Sequence, residues 1–248
     1  MNLEPRNIPE EDRLILMIET SQRQGSIALG SIGGEFIAEV SFSPGLVHSK
    51  ELMPRIDTLI EEHASRSDLG VIAVSRGPGS FTGIRIGVAA AKALSWGLNI
   101  PALGLSSLEC MVHGLGSDGR WAAILDASGG DRDMGIFDSS SGKITPASEE
   151  MAVQVEELPA LIAEGTGVVG SGCRNLEWAE GIPVSEIEYD QPPARSGWEL
   201  SVQAIRAIKE NSEPPAGWQN PHQLQPRYLR VSRAEEVRRK KLAEQERS

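Results

Sequence analysis

Aromatic side chains are scarce in this sequence. At 4% of 248 residues they are too few for stacking on nucleic-acid bases to be its main trade. Cysteine is scarcer still: Cys110 and Cys173 cannot make a disulfide framework, and they lack CxxC spacing. No run reaches the roughly 18 apolar residues of a membrane span, and no N-terminal apolar core has the form of a signal peptide. The expected compartment is the cytoplasm, with no membrane partner. Positive charge is also short. Against 35 Asp and Glu stand 24 Lys and Arg, a net charge of -11 that repels nucleic acid. The exception is the end of the chain, Arg230 to Ser248, where seven basic residues outnumber four Glu and leave the remainder at -14.

What is present is ordinary globular material, 40% hydrophobic and 24% charged, with length enough for one large domain or two lobes. "LILMIET" (14–20) is a continuous apolar run, as in a strand covered on both faces. "GSIALGS" and "EFIAEVSFS" follow, with Gly33-Gly34 as a hairpin signal between them. Residues 48–63 have helical periodicity, with a local irregularity expected at Pro54. "GVIAVS" predicts a strand, 82–98 a helix, "IPALGLSSL" a strand and then a helix from Ser106 or Ser107. Three hairpin strands followed by β-α alternation predict an α/β, ribonuclease-H-like sheet, antiparallel at one edge and parallel elsewhere.

A weaker version of the same order recurs beyond the turn-rich 115–120. "WAAILDA", "DMGIFDS" and "GVVGSG" read as strands, "VEELPALIAE" and "WELSVQAIRAIKE" as helices. A duplicated βββαβα unit is the layout of the two-lobed, actin-like (ASKHA) superfamily of kinases and ATPases. The expected divisions are a polar leader (1–12), an N-terminal lobe (13–115), a C-terminal lobe (116–230) and a basic, helical or disordered tail (231–248).

"VSRGPGSFTGIRIG" (74–87) has the look of a phosphate-cradling loop. Gly77, Gly79 and Gly83 permit positive φ and close approach, Ser80 and Thr82 add hydroxyls, and the first amides of a helix favour an anion. From Leu69 to Leu108 there is no acid, where average density would place about five. Packing a helix tightly on a sheet accounts for the same glycines. A Walker A motif fails because Ile84 follows Gly83, and a dinucleotide loop lacks its ribose-binding acid. The helix behind the loop is apolar nearly all round, apart from a stripe of Arg85, Ala89, Lys92 and Trp96. Such a helix needs a second body beside its parent sheet. Small residues at 87, 89, 90, 91 and 93 would let another helix come close.

Known catalytic signatures do not match. His48, His63, His113 and His222 include no i,i+4 pair, HExxH is missing, and neither "GPGSFTG" nor "VGSGC" fits GxSxG. No catalytic or metal-binding residue is assigned. The enzymatic alternative is a small actin-like phosphotransferase, with Glu19 and Asp126 orienting Mg²⁺ at the ends of the first strands of the two lobes.

"ILMIETS", "HSKELMPRID", the whole of 74–109, "VVGSGCR" and "QPRYLR" together resemble the TsaB-type (YeaZ-like) subunit of the bacterial tRNA threonylcarbamoyladenosine complex, over about Arg13 to Arg230. The chain departs from the family pattern at Glu19, usually Asp, and at Ser128, usually Arg. The resemblance implies a non-catalytic paralogue of the TsaD transferase, with an actin-like fold and no cofactor of its own. It implies pairing with TsaD through the 49–62 and 82–98 helices, where Leu52, Met53, Ile56, Arg85, Ala89, Ala90, Ala91 and Ala93 would form the interface. A TsaE-type ATPase is the further partner, and tRNA is met only through the assembled complex. ATP or ADP at the joint surface would touch the glycine loop, and an unpartnered chain would be open to homodimer formation.

Overall fold

The computed structural model describes residues 10–42, 48–127, 130–174, 176, 192–211 and 218–230. The first elements are β1 (Leu14–Glu19), β2 (Ser26–Ser31), β3 (Phe36–Ser41), α1 (His48–His63), β4 (Leu69–Ser75), α2 (Phe81–Leu98), β5 (Ala102–Leu105) and α3 (Ser107–Gly114). Then follow β6 (Gly119–Asp126), β7 (Asp131–Ser140), β8 (Lys143–Pro146), β9 (Met151–Gln154), α4 (Leu158–Leu161), β10 (Gly167–Val169), α5 (Ala194–Asn211) and β11 (Trp218–Gln219).

All six residues of β1 are buried, because both faces of its sheet are covered. Alternation across the pleat divides them between two cores. Leu14, Leu16 and Ile18 join Leu52, Ile56, Ile84 and Val88 under α1 and α2. Ile15 and Met17 face the other way, among Leu108, Met111, Trp198 and Ile205 of α3 and α5. The first sheet has the order β11-β5-β4-β1-β2-β3. The expected antiparallel meander β1-β2-β3 and the parallel β1-β4-β5 set are both present.

The second sheet has the order β10-β6-β7-β8, with β9 also on β7. Helix α3 packs against β6, β7 and β8 as well as α5, so the second core is continuous with Ala123, Leu125 and Phe137 of the second sheet. The chain enters the second sheet at Gly119 and returns to the first at Ala194, since α5 packs across β1 and β2 and β11 pairs with β5. The region read from sequence as one C-terminal lobe thus lends its last helix and strand to the first sheet. The reason is the exposed apolar side that β1 and β2 would otherwise present: Gly197 lies on Met17, and Gly30 leaves room for the Trp198 indole.

Three local expectations change. Helix α1 runs unbroken through Pro54, because Pro54 and Lys50, one turn earlier, are exposed and water can serve the carbonyl that proline leaves unpaired. "VEELPALIAE" yields a 3-10 turn and the single turn of α4, after which Ile162 turns extended and buries its side chain with Leu158. Strands β8 and β9 were not anticipated, although Ser141 (φ 51°) and Gly142 (φ 78°) form the left-handed pair of a tight hairpin. The tail 231–248 and leader residues 1–9 lie outside the described residues. Among the described residues no helix is long and apolar enough to cross a membrane.

Trp198→Ala removes the largest side chain that α5 inserts over β2. It is expected to lower unfolding stability by about 3–5 kcal/mol, measured by urea titration; a loss below about 1 kcal/mol would contradict this placement of α5.

Candidate functional site

The turn after β1 is the seat of the glycine segment. The Ser80 amide donates to the Ser21 carbonyl oxygen (2.6 Å), and the Thr20 hydroxyl donates to the Gly83 carbonyl oxygen (2.8 Å). These approaches require glycine. A Cβ on Gly79 would run into the Ser21 carbonyl oxygen, one on Gly83 into the Thr20 carbonyl oxygen, and one on Gly87 into the Thr20 hydroxyl. Gly77, at φ 117°, lies equally close to the Arg227 carbonyl oxygen. Ser80 is the N-cap of α2, its Oγ accepting the Gly83 amide (3.2 Å).

The loop's polar groups are therefore largely engaged within the chain. Of the residues expected to meet phosphate, Gly77 and Gly83 are buried, Gly79 and Ser80 half-buried, and Thr82 exposed. What the loop offers outward is the Thr82 hydroxyl at the first turn of α2.

Glu19 lies beneath the same turn and is 0% exposed. Its Oε1 accepts the Ser21 amide at 2.5 Å. Burial pushes its carboxyl up to about 7, opposed by hydrogen bonds with Ser21 and Ser75. The carboxyl is thereby sealed from solvent. Asp126 is exposed and paired with Arg132 (2.8 Å). The two acids of the phosphotransferase alternative thus occupy unlike settings, one sealed and one in solvent.

Helix α2 has two working faces. Gly83, Ile84, Gly87, Val88, Ala91 and Ser95 are buried against the sheet. Arg85, Ala89, Ala93 and Trp96 are exposed and Ala90 half-buried, with Trp96 at 64%. On α1, Met53 is 40% exposed. Leu52, Ile56 and Ala91, expected at the interface, instead fill the core beneath the two helices. Helical spacing identified an apolar stripe on α1 but could not tell which stripe faces the sheet. The sequence also offered no sign of Phe81 and Tyr228 at this face. Their rings stack with centroids 4.5 Å apart, and Arg85 Nε donates to the Tyr228 hydroxyl (2.9 Å). The 143 positions between Arg85 and Tyr228 put that contact beyond any local pattern.

A family profile described as "TsaD: tRNA N6-adenosine threonylcarbamoyltransferase" matches residues 45–173. The tRNA threonylcarbamoyladenosine biosynthesis protein TsaB of Bacillus subtilis is 33% identical over 60% of this chain and 66% of its own length. Its Escherichia coli counterpart is 37% identical over 40% of this chain and 43% of its own length. The chain thus spans from about two fifths to just under two thirds of these relatives. YeaZ from Pseudomonas aeruginosa superposes with a TM-score of 0.71 at 23% identity, covering 87% of this chain and 100% of that structure, which establishes a shared fold.

Gly83→Ala is expected to cost at least about 1–3 kcal/mol, since neither the Thr20 carbonyl nor the helix can yield without breaking the seat; wild-type stability in a urea melt would contradict the contact. The buried acid makes stability depend on pH. The folded chain holds the Glu19 proton more tightly than the unfolded chain, so this contribution is complete below about pH 4.5 and is lost as pH rises through about 7. Glu109, pushed up to about 7, and Asp133, pushed up to about 6, act in the same sense. Glu19→Gln should flatten part of the fall in unfolding stability across that window, and an unchanged slope would show that Glu19 is not its source.

Proposed function

The chain belongs to the family of that transferase profile, as a TsaB/YeaZ-type member, and from this premise we propose that it serves tRNA threonylcarbamoyladenosine biosynthesis as a docking subunit rather than as the catalyst. The observation that carries this reading is the outward stripe of α2. Ala89 and Ala93 are small and exposed between Arg85 and a solvent-facing Trp96, on a helix whose opposite side already fills the core. Small residues allow close helix approach, and a large exposed aromatic at the rim is the kind of side chain that anchors an interface.

The proposed partner is a TsaD-type transferase. Transferases of that name match this chain too, one from Geotalea daltonii at 32% identity over 47% of this chain and 40% of its own length. Two proteins of one fold family can set equivalent helices against each other, which supports a paired arrangement through α1 and α2. In this reading the glycine segment seats the docking helix. ATP or ADP bound at the joint surface would meet Thr82 and the first turn of α2. The TsaE-type ATPase joins the assembled pair. A net charge of -11 supports tRNA being met through the complex rather than by this chain alone.

Co-purification with a TsaD-type transferase is expected to give a one-to-one complex. Ala89→Arg keeps the monomer folded, because the position is exposed, but would bury an unpaired guanidinium at the interface. The expected loss is about 3–5 kcal/mol, more than a hundredfold in affinity. Trp96→Ala should remove about 2 kcal/mol or more. Retention of wild-type affinity by both variants, measured by calorimetry, would rule out this face. A homodimer through the same stripe would show as self-association of the chain alone that Ala89→Arg abolishes.

A further inference from the structure

The segment Gln225–Arg230 crosses from the core of the first sheet to the second, and it touches the leading turn of α2 on the way. Leu224, just before it, is buried with Ile84 and Val88. The Arg227 amide donates to the Arg76 carbonyl oxygen (2.7 Å), and the Arg227 carbonyl presses on Gly77. Tyr228 stacks on Phe81 and accepts from Arg85, whose guanidinium carbon also lies 3.8 Å above the Phe81 ring. Two arginines of the segment reach the second sheet or the residues leading into it. Arg227 pairs with the buried carboxylate of Glu150 (2.9 Å), which also accepts the Ser106 hydroxyl at the N-cap of α3. Arg230 is hydrogen-bonded to Asp131 and lies 3.7 Å from Asp133.

A long side chain on an exposed helix face ordinarily samples many rotamers, and ordering it on binding costs entropy. Arg85 is instead already held, by a ring on one side and a hydroxyl on its Nε. Holding it depends on Tyr228, and Tyr228 lies between two arginines whose carboxylate partners belong to the second sheet and the segment leading into it. None of these carboxylates belongs to the docking face.

We propose that Gln225–Arg230 is a positioning strap for the docking helix: it pre-orders Arg85 and the first turn of α2 for the partner, and Glu150, Asp131 and Asp133 hold the strap in place. The proposal rests on the docking reading above for its consequence, while the strap's grip on α2 can be read in the chain by itself. Tyr228 and the three acids are positioning residues, acting through Arg85 rather than on the partner's chemistry.

Hydrogen exchange with mass spectrometry on the full chain, together with calorimetry against a TsaD-type transferase, tests it. Tyr228→Phe keeps the ring and deletes only the hydroxyl that holds Arg85. Asp131→Asn with Asp133→Asn loosens the far end. In both variants, peptides spanning 76–90 should exchange about three- to tenfold faster, the range for one lost hydrogen bond, with peptides spanning 14–31 unchanged. The dissociation constant should rise by a similar factor while the melting temperature of Tyr228→Phe stays at the wild-type value. If peptides spanning 119–140 also speed up in the double variant, the second sheet itself has loosened and Tyr228→Phe alone decides. Wild-type exchange over 76–90 in Tyr228→Phe overturns the strap. Faster exchange there with an unchanged dissociation constant overturns its role in docking. Failure of the wild-type chain to bind the transferase at all would overturn the docking reading instead, leaving exchange to judge the strap.

Discussion

The hydrogen bond from the Ser80 amide to the Ser21 carbonyl, with that from the Thr20 hydroxyl to the Gly83 carbonyl, ties the end of the first strand to the start of α2. Everything proposed for this chain depends on that tie. It sets where α2 begins, how closely the helix lies on the sheet, and therefore which of its residues remain outside. The glycines at 79, 83 and 87 are the condition for it, because each occupies a place where a side chain would collide with Thr20 or Ser21. A sequence that looks made to surround a phosphate is here packed around the protein's own backbone.

The tie rests on a buried acid. Glu19 anchors the turn from below through the Ser21 amide and holds its proton up to about pH 7. In a neutral form it satisfies the backbone without placing an unpaired charge in the core, where such a charge is strongly disfavoured. The residue that stands where a metal-orienting carboxylate would serve a phosphotransferase is thus committed to the fold. The same economy of small residues appears along α2. Gly87 and Ala91 let the helix sit down on the sheet, while Ala89 and Ala93, about a third to nearly half a turn away, leave an outer face bordered by Trp96.

Much of the fold was legible in the order of residues because its central strands are covered on both faces and two of its helices, α2 and α3, carry caps at their starts. β1 and β4 read as unbroken apolar runs, and Ser80 and Ser106 cap α2 and α3 as short polar side chains do. The short strands β8 and β9 and the single turn of α4 carried little periodicity, and pairing with β7 decides two of them. At the proposed docking face, Arg85, Ala89 and Trp96 were legible as exposed because helix spacing separates them from the apolar side. Leu52, Ile56 and Ala91 were not, since an apolar residue on a helix can as well face its own sheet as a partner.

By itself the amino-acid order determined the local elements, the acid-free glycine segment and the small-residue helix, because propensity, capping and glycine's backbone freedom act within a few residues. Tertiary structure decided which of their faces are covered and which stay outside. Only the folded chain brings Tyr228 onto Phe81 and Arg85, lays α5 across the first sheet, and seals Glu19 from water. Those are contacts between residues far apart in sequence, and their energies come from burial and geometry that no local spacing encodes.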